Sequence, residues 1–210
     1  MSGSPSLADL TPAASDRALF VGMTGSGKTT LARALLASRA YVVVLDGKGT
    51  VRWPGWKRVT TLAAAAALDP VAHPRIIYAP SAGELADDEL AEGFYAWVYE
   101  RRNTLLYIDE IYSVALGADL PFWLHALLTR GRERGCPVWG ATQRPMFVPM
   151  AFLTEAEHAY LFRLQAPQDR KKVADFYGIA ADDLHGLAKR RFYYVRIGEY
   201  PAGPLTLRLE

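Results

Sequence analysis

The stretch Gly22-Met23-Thr24-Gly25-Ser26-Gly27-Lys28-Thr29 has the G-x-x-x-x-G-K-T spacing of a phosphate-binding loop. Such a loop works only between a buried strand and a helix. Its glycines bend the backbone until several N–H groups converge on a phosphate, and the helix N-terminus adds a partial positive charge. Both neighbours are legible: Ala18–Val21 is a short apolar run that reads as a strand, and Thr30–Leu36 reads as a helix. The candidate binding residues are Gly22, Thr24, Gly25, Ser26, Gly27, Lys28, Thr29 and Thr30. Lys28 would reach the β- and γ-phosphates, and the Thr29 hydroxyl would ligate Mg²⁺. A nucleoside triphosphate is the expected ligand.

A second stretch fixes the chemistry. Thr104-Leu105-Leu106-Tyr107-Ile108-Asp109-Glu110 brings one carboxylate to the end of a buried strand and a second directly after it. Alone it would read as a strand running into a solvated acidic turn. Behind a phosphate loop, Asp109 is placed to orient Mg²⁺ through water, and Glu110 to polarise an attacking water as general base. A third strand, Pro137–Thr142, ends on Gln143, whose amide would sense the γ-phosphate or hold that water.

The remaining chain reads as alternating strands and helices, which predicts an α/β fold with a mostly parallel sheet. Strands are expected at 41–46, 75–80 and 157–164, and helices at 62–68, 87–102, 121–134 and 167–177. An antiparallel pair at 190–197 and 204–209 closes the sheet edge. Residues 1–15 read as a flexible arm or a segment docking on a partner, leaving 16–210 as a single domain. The loop 51–58 mixes Trp53 and Trp56 with Arg52, Lys57 and Arg58; it tracks DNA or its indoles cap the core.

Composition excludes several classes. The net charge of +2 means that any nucleic-acid contact comes from local basic patches such as Arg170-Lys171-Lys172 or Lys189-Arg190-Arg191, or these runs are solvated faces. A single cysteine, Cys136, forbids an internal disulfide and suits a reducing compartment. The scattered His73, His125, His158 and His185 lack ligand spacing, so no structural metal is expected. The start Met1–Ser6 has neither a basic nor an apolar region of a signal peptide, and no apolar run spans a membrane.

Taken in order, five features resemble the FtsK/HerA superfamily of DNA-translocating ATPases: the Walker A loop 22–29, Asp46-Gly47-Lys48-Gly49, the Walker B pair Asp109-Glu110, Gly131-Arg132-Glu133-Arg134-Gly135, and Ala141-Thr142-Gln143-Arg144-Pro145. The compact chain and Ala159–Leu164 followed by a charged helix look most like the genome-packaging ATPases of tailless, membrane-containing icosahedral viruses. The resemblance implies a RecA-like (ASCE) P-loop core, ATP with Mg²⁺, and a homo-oligomeric ring, a hexamer, threading double-stranded DNA. It also implies a capsid-vertex or virion-membrane partner, and a place in the virion or the host cytoplasm rather than secretion. In such a ring one subunit supplies an arginine finger to its neighbour; Arg132 and Arg130 are the candidates, with Arg134 behind them, unless these arginines only complement a helix dipole. Pore-facing loops would include 48–58 or 111–120, and Lys48 would contact nucleotide or DNA. A cellular HerA- or conjugation-type pump, a small-molecule kinase and a nucleotide-switched assembly protein are the competing readings.

Overall fold

The computed structural model describes residues 6–114 and 120–207. Among these, nine strands form one sheet: β1 (Ala18–Val21), β2 (Val42–Leu45), β3 (Lys57–Val59), β4 (Arg75–Tyr78), β5 (Leu105–Ile108), β6 (Val138–Thr142), β7 (His158–Phe162), β8 (Arg191–Arg196) and β9 (Ala202–Thr206). Their order is β3-β4-β2-β5-β6-β1-β7-β8-β9. From β3 to β7 every pairing is parallel, while β7–β8 and β8–β9 are antiparallel. The expected α/β architecture with an antiparallel edge is thus present.

The central strands are apolar on both faces because helices cover both. In β1, Leu19 and Val21 join one core while Ala18 and Phe20 join the other. Helix α1 (Lys28–Leu36) covers the second core with Leu31, Leu35 and Leu36. There Phe20 stacks on Tyr160 with ring centroids 4.7 Å apart. Helices α2 (Leu62–Ala66), α3 (Ala82–Leu85), α4 (Asp88–Arg101), α5 (Phe122–Arg130), α6 (Met150–Thr154), α7 (Pro167–Tyr177) and α8 (Ala181–Gly186) complete the chain. Of these, α4 and α5 seal the first core with Phe94, Tyr95, Val98, Leu124 and Leu127. Burying each such side chain is worth about 1.5–3 kcal/mol.

Several local expectations need correction. Part of the loop 51–58 is strand: β3 lies at the sheet edge, where exposure removes the apolar run that marks a buried strand. Three short helices, α3, α6 and α8, were not anticipated. The helix expected over 121–134 stops at Arg130, and Gly131–Arg134 tightens into a 3₁₀ turn. A Cβ at Gly131 would collide with the Cys136 carbonyl, the Cys136 N–H donates to the Gly131 carbonyl (2.7 Å), and Gly135 turns the chain with φ 70°. The last strand begins at Ala202 rather than 204, and its expected end falls partly among residues 208–210, outside those described.

Of the expected N-terminal arm, residues 1–5 lie outside the described residues, 6–9 are exposed, and Leu10 and Pro12 are buried. Leu10 is buried beside Phe20 and Trp139, its carbonyl accepts from the Tyr160 hydroxyl, and Arg39 donates to the Pro12 and Ala13 carbonyls. Cys136 is buried and free. No helix among the described residues is long and apolar enough to cross a membrane.

Candidate active site

Because β5, β6 and β1 are adjacent and parallel, the three stretches singled out above emerge side by side at the C-terminal edge of the sheet. This is the edge where open α/β sheets hold ligands. The loop after β1 is held by the Gly22 N–H to the Thr142 carbonyl (3.0 Å) and the Met23 N–H to the Arg163 carbonyl (2.9 Å). A Cβ on Gly22 would fall 2.6 Å from Phe162 Cβ, so only glycine fits there. Gly25 and Gly27 have φ of 73° and 113°, conformations that favour glycine. The first turn of α1 therefore points its free N–H groups into a cleft of about 260 Å³ lined by Gly25, Gly27, Lys28, Thr29, Thr30, Lys189 and Arg190. Ser26 is buried and shapes the loop from behind, with a hydroxyl that has no partner among the described residues. Thr24 leans outward and donates to the Gln143 side-chain carbonyl.

The charges are concentrated on the inner wall. Lys28 is only 5% exposed, and burial pushes its ammonium below its ordinary pKa, against the pull of Glu110 and Asp109. Asp109 is pushed up, first by burial and further by the neighbouring Asp46 and Glu110, although the Tyr107 hydroxyl donates to its Oδ1 at 3.1 Å. The Thr29 hydroxyl lies 3.4 Å from the same oxygen. A hydroxyl and a carboxylate, both hard oxygen donors, facing each other beneath a phosphate cleft suit Mg²⁺, which takes one or two carboxylates and completes its shell with phosphate and water. Glu110 is buried, with Lys48 Nζ 3.0 Å from Oε2 and the Gln143 N–H 3.1 Å from Oε1. Gln143 thus touches both the phosphate loop and Glu110.

The arginines expected as fingers for a neighbouring subunit lie away from the chain's own cleft. Arg130 and Arg132 are exposed on the turn before β6, at the opposite, N-terminal edge of the sheet. Arg132 lies 3.7 Å from Glu157, and Arg134 pairs with Glu100 and stacks on Tyr99. None of them reaches the chain's own phosphate loop. In the 51–58 segment Trp53 belongs to the core, packed on Tyr107, while Trp56 is half-buried beneath Arg75. Among Arg170, Lys171 and Lys172, the first donates to Gln165, the second pairs with Asp175 and the third caps the carbonyls of Met146 and Val148. Of the loop 111–120, residues 115–119 lie outside those described.

Two placements go beyond what the motifs announce. Lys189 and Arg190 stand over the cleft because the Arg190 N–H bonds the Ser26 carbonyl (2.9 Å), fastening the start of β8 to the phosphate loop. The basic run at 189–191 was the available signal, but nothing in it named its neighbour. Asp46 is fully buried and accepts from the N–H groups of Thr50 and Val51, so it anchors the loop that carries Lys48.

No protein-family model matches the chain. It is 26% identical over 176 residues to the DNA packaging ATPase P9 of Enterobacteria phage PRD1, covering 80% of this chain and 73% of that one. Its fold matches the genome packaging NTPase B204 of Sulfolobus turreted icosahedral virus 2, solved in complex with AMPPCP, with a TM-score of 0.76, 16% identity, 93% of this chain and 100% of that one. The pCW3 conjugation coupling protein TcpA, solved with ATPgS, matches more loosely, with a TM-score of 0.59 and 16% identity over 89% of this chain and 58% of that one. The chain has the fold of the P-loop NTPases, and the resemblance read from its motifs holds: it is similar, in sequence and in fold, to the genome-packaging ATPases of viruses.

Proposed function

We propose that the chain is an ATP-driven motor that moves double-stranded viral DNA into a preformed capsid. The observation that carries this reading is that Asp109 lies beside Thr29 of the phosphate loop while Gln143 joins Thr24 of that loop to Glu110. Similarity to a DNA packaging ATPase and to a genome packaging NTPase supplies the substrate class.

The nucleotide's phosphates lie on the N–H groups of Gly25, Gly27 and the first turn of α1, with Lys28 against the β- and γ-phosphates. Thr29 would hold Mg²⁺ and Asp109 would reach it through water; the ion would neutralise phosphate charge and polarise the γ-phosphoryl group. Glu110 takes a proton from water as the water oxygen bonds to the γ-phosphorus. The bond from that phosphorus to the β–γ bridging oxygen breaks, and ADP leaves with the oxygen. Gln143, touching both Thr24 and Glu110, reports loss of the γ-phosphate to the loops around it.

Arg132 or Arg130 acts in trans. Both are exposed at the edge of the sheet opposite the chain's own cleft, so a ring of copies, six in our reading, is the arrangement in which they reach a phosphate. A finger of this kind is worth roughly 10³–10⁵ in rate. The motor would act at the packaging vertex of the virion or in the host cytoplasm, beside a capsid or virion-membrane partner. The likeness to a conjugation coupling protein favours a cellular or conjugative DNA pump as the second reading.

The test is steady-state phosphate release with and without long double-stranded DNA. The wild type is expected to be stimulated by DNA, less so as salt rises. Glu110→Gln is expected to lose roughly 10²–10⁴-fold in turnover while still binding nucleotide. Nucleotide binding with no turnover under any condition would instead favour a switch.

A further inference from the structure

Each oxygen of Glu110 already has a donor. Lys48 Nζ holds Oε2 at 3.0 Å and the Gln143 N–H holds Oε1 at 3.1 Å. The two ends of the Lys48–Glu110 pair differ in access: the Lys48 side chain is 43% exposed and that of Glu110 only 4%. The carboxylate is fixed in the protein, and the ammonium sits on a flexible four-carbon stem at the open side of the site.

The backbone beneath Lys48 is held in place. Asp46 receives the N–H groups of Thr50 (3.1 Å) and Val51 (2.7 Å), and the Gly49 N–H returns to the Asp46 carbonyl (3.1 Å). Gly47 is wedged so close to Ser113 that a Cβ would lie 2.7 Å from its hydroxyl. The side chain of Lys48 can swing while its Cα stays fixed. Its charge is also felt by Lys28, so the two ammoniums lie near one another.

We infer that Lys48 is a γ-phosphate-reading residue that also governs the general base. Without a γ-phosphate, its ammonium rests on Glu110 and occupies the oxygen that a water would need. A γ-phosphate brings a denser negative charge into the same space and draws the ammonium onto its own oxygens. Glu110 Oε2 is then released to accept the water. Triphosphate is thereby distinguished from diphosphate by a residue outside the phosphate loop, and the base is exposed only when there is something to hydrolyse. The inference rests on the hydrolase reading above.

The experiment is calorimetric titration of wild type, Lys48→Met and Lys48→Arg with Mg²⁺ and either ADP or the β,γ-methylene analogue of ATP. Lys48→Met is expected to lose roughly 10–100-fold in affinity for the triphosphate analogue while ADP stays within about twofold, the scale of one hydrogen bond to a charged group. Lys48→Arg keeps the cation and is expected to retain most of the preference. An unchanged ratio in Lys48→Met, an equal loss for both nucleotides, or an arginine variant no better than methionine overturns the inference. Phosphate release by the wild type, measured alongside, separates the two failures: an inert wild type sinks the hydrolase reading, whereas normal turnover with an unchanged ratio sinks the role of Lys48 alone.

Discussion

The two edges of the sheet both gather charge, and they do opposite things with it. At the N-terminal edge the Arg17 guanidinium donates to both oxygens of Glu157, to Glu155 Oε2 and to the Leu128 carbonyl. Beside it the buried His158 bridges Asp16 (3.0 Å) and the Tyr194 hydroxyl (2.8 Å). At the C-terminal edge Lys28 is buried among carboxylates yet lowered in pKa, Asp109 is raised, and Ser26 keeps a buried hydroxyl with no partner among the described residues. Charge that is satisfied fastens strands together. Charge held under tension is waiting for a ligand, at a cost in stability.

The sharpest way to break this contrast is to remove Arg17. Arg17→Leu leaves the part-buried Glu157 and the more exposed Glu155 without their guanidinium, so we expect a loss of about 1–3 kcal/mol in chemical denaturation, with nucleotide affinity of the folded protein unchanged. The same pair predicts a pH dependence. Burial pushes Glu157 up, but hydrogen bonds and charge from Arg17 outweigh it and hold the carboxyl below its ordinary value of 4.5. Its contribution is therefore complete above that value and disappears as pH falls through the lower folded-state pKa, so wild type should lose more stability in acid than Arg17→Leu.

Asp109→Asn should move stability in the opposite direction. Neutralising a carboxylate that burial disfavours is expected to stabilise the nucleotide-free protein by about 1 kcal/mol, while abolishing the extra stability that Mg²⁺ and nucleotide confer. A destabilised Asp109→Asn would mean that this edge, too, is structural. The smallest expected change is in Arg132→Ala. Its contact with Glu157 is long and exposed (3.7 Å, with the Arg132 side chain 58% exposed), so melting should shift by less than about 1 kcal/mol. If turnover of the assembled protein nevertheless collapses, Arg132 belongs with the functional charges despite its address.

What could be read in advance follows the same division. The phosphate loop and Asp109–Glu110 were legible because phosphate chemistry demands fixed residue types at fixed spacing next to a buried strand. The sheet was legible because Val42–Leu45 and Leu105–Ile108 are apolar on both faces. Lys57–Val59 escaped notice because an edge strand needs no apolar run, although its pairing with β4 is regular. Helix α3 carries a complete capping box, Ser81 with Glu84, but it lasts a single turn and lies against no periodic pattern. The partners of Lys48 and Arg190 were beyond reach for another reason: Glu110 and Ser26 are brought to them by tertiary packing, with no motif to join them.

The position of β1 also has a consequence in time. The strand that launches the phosphate loop is made before both of its neighbours, Val138–Thr142 and His158–Phe162, which come far later in the chain. Loop closure over that distance must precede any pairing, and synthesis proceeds at roughly 5–20 residues per second. The phosphate loop is thus translated well before the strands that flank β1, and the pairing of β1 is complete only when residue 162 has left the ribosome. An incomplete polypeptide carries the signature of a triphosphate site without the two strands that flank β1 in the sheet.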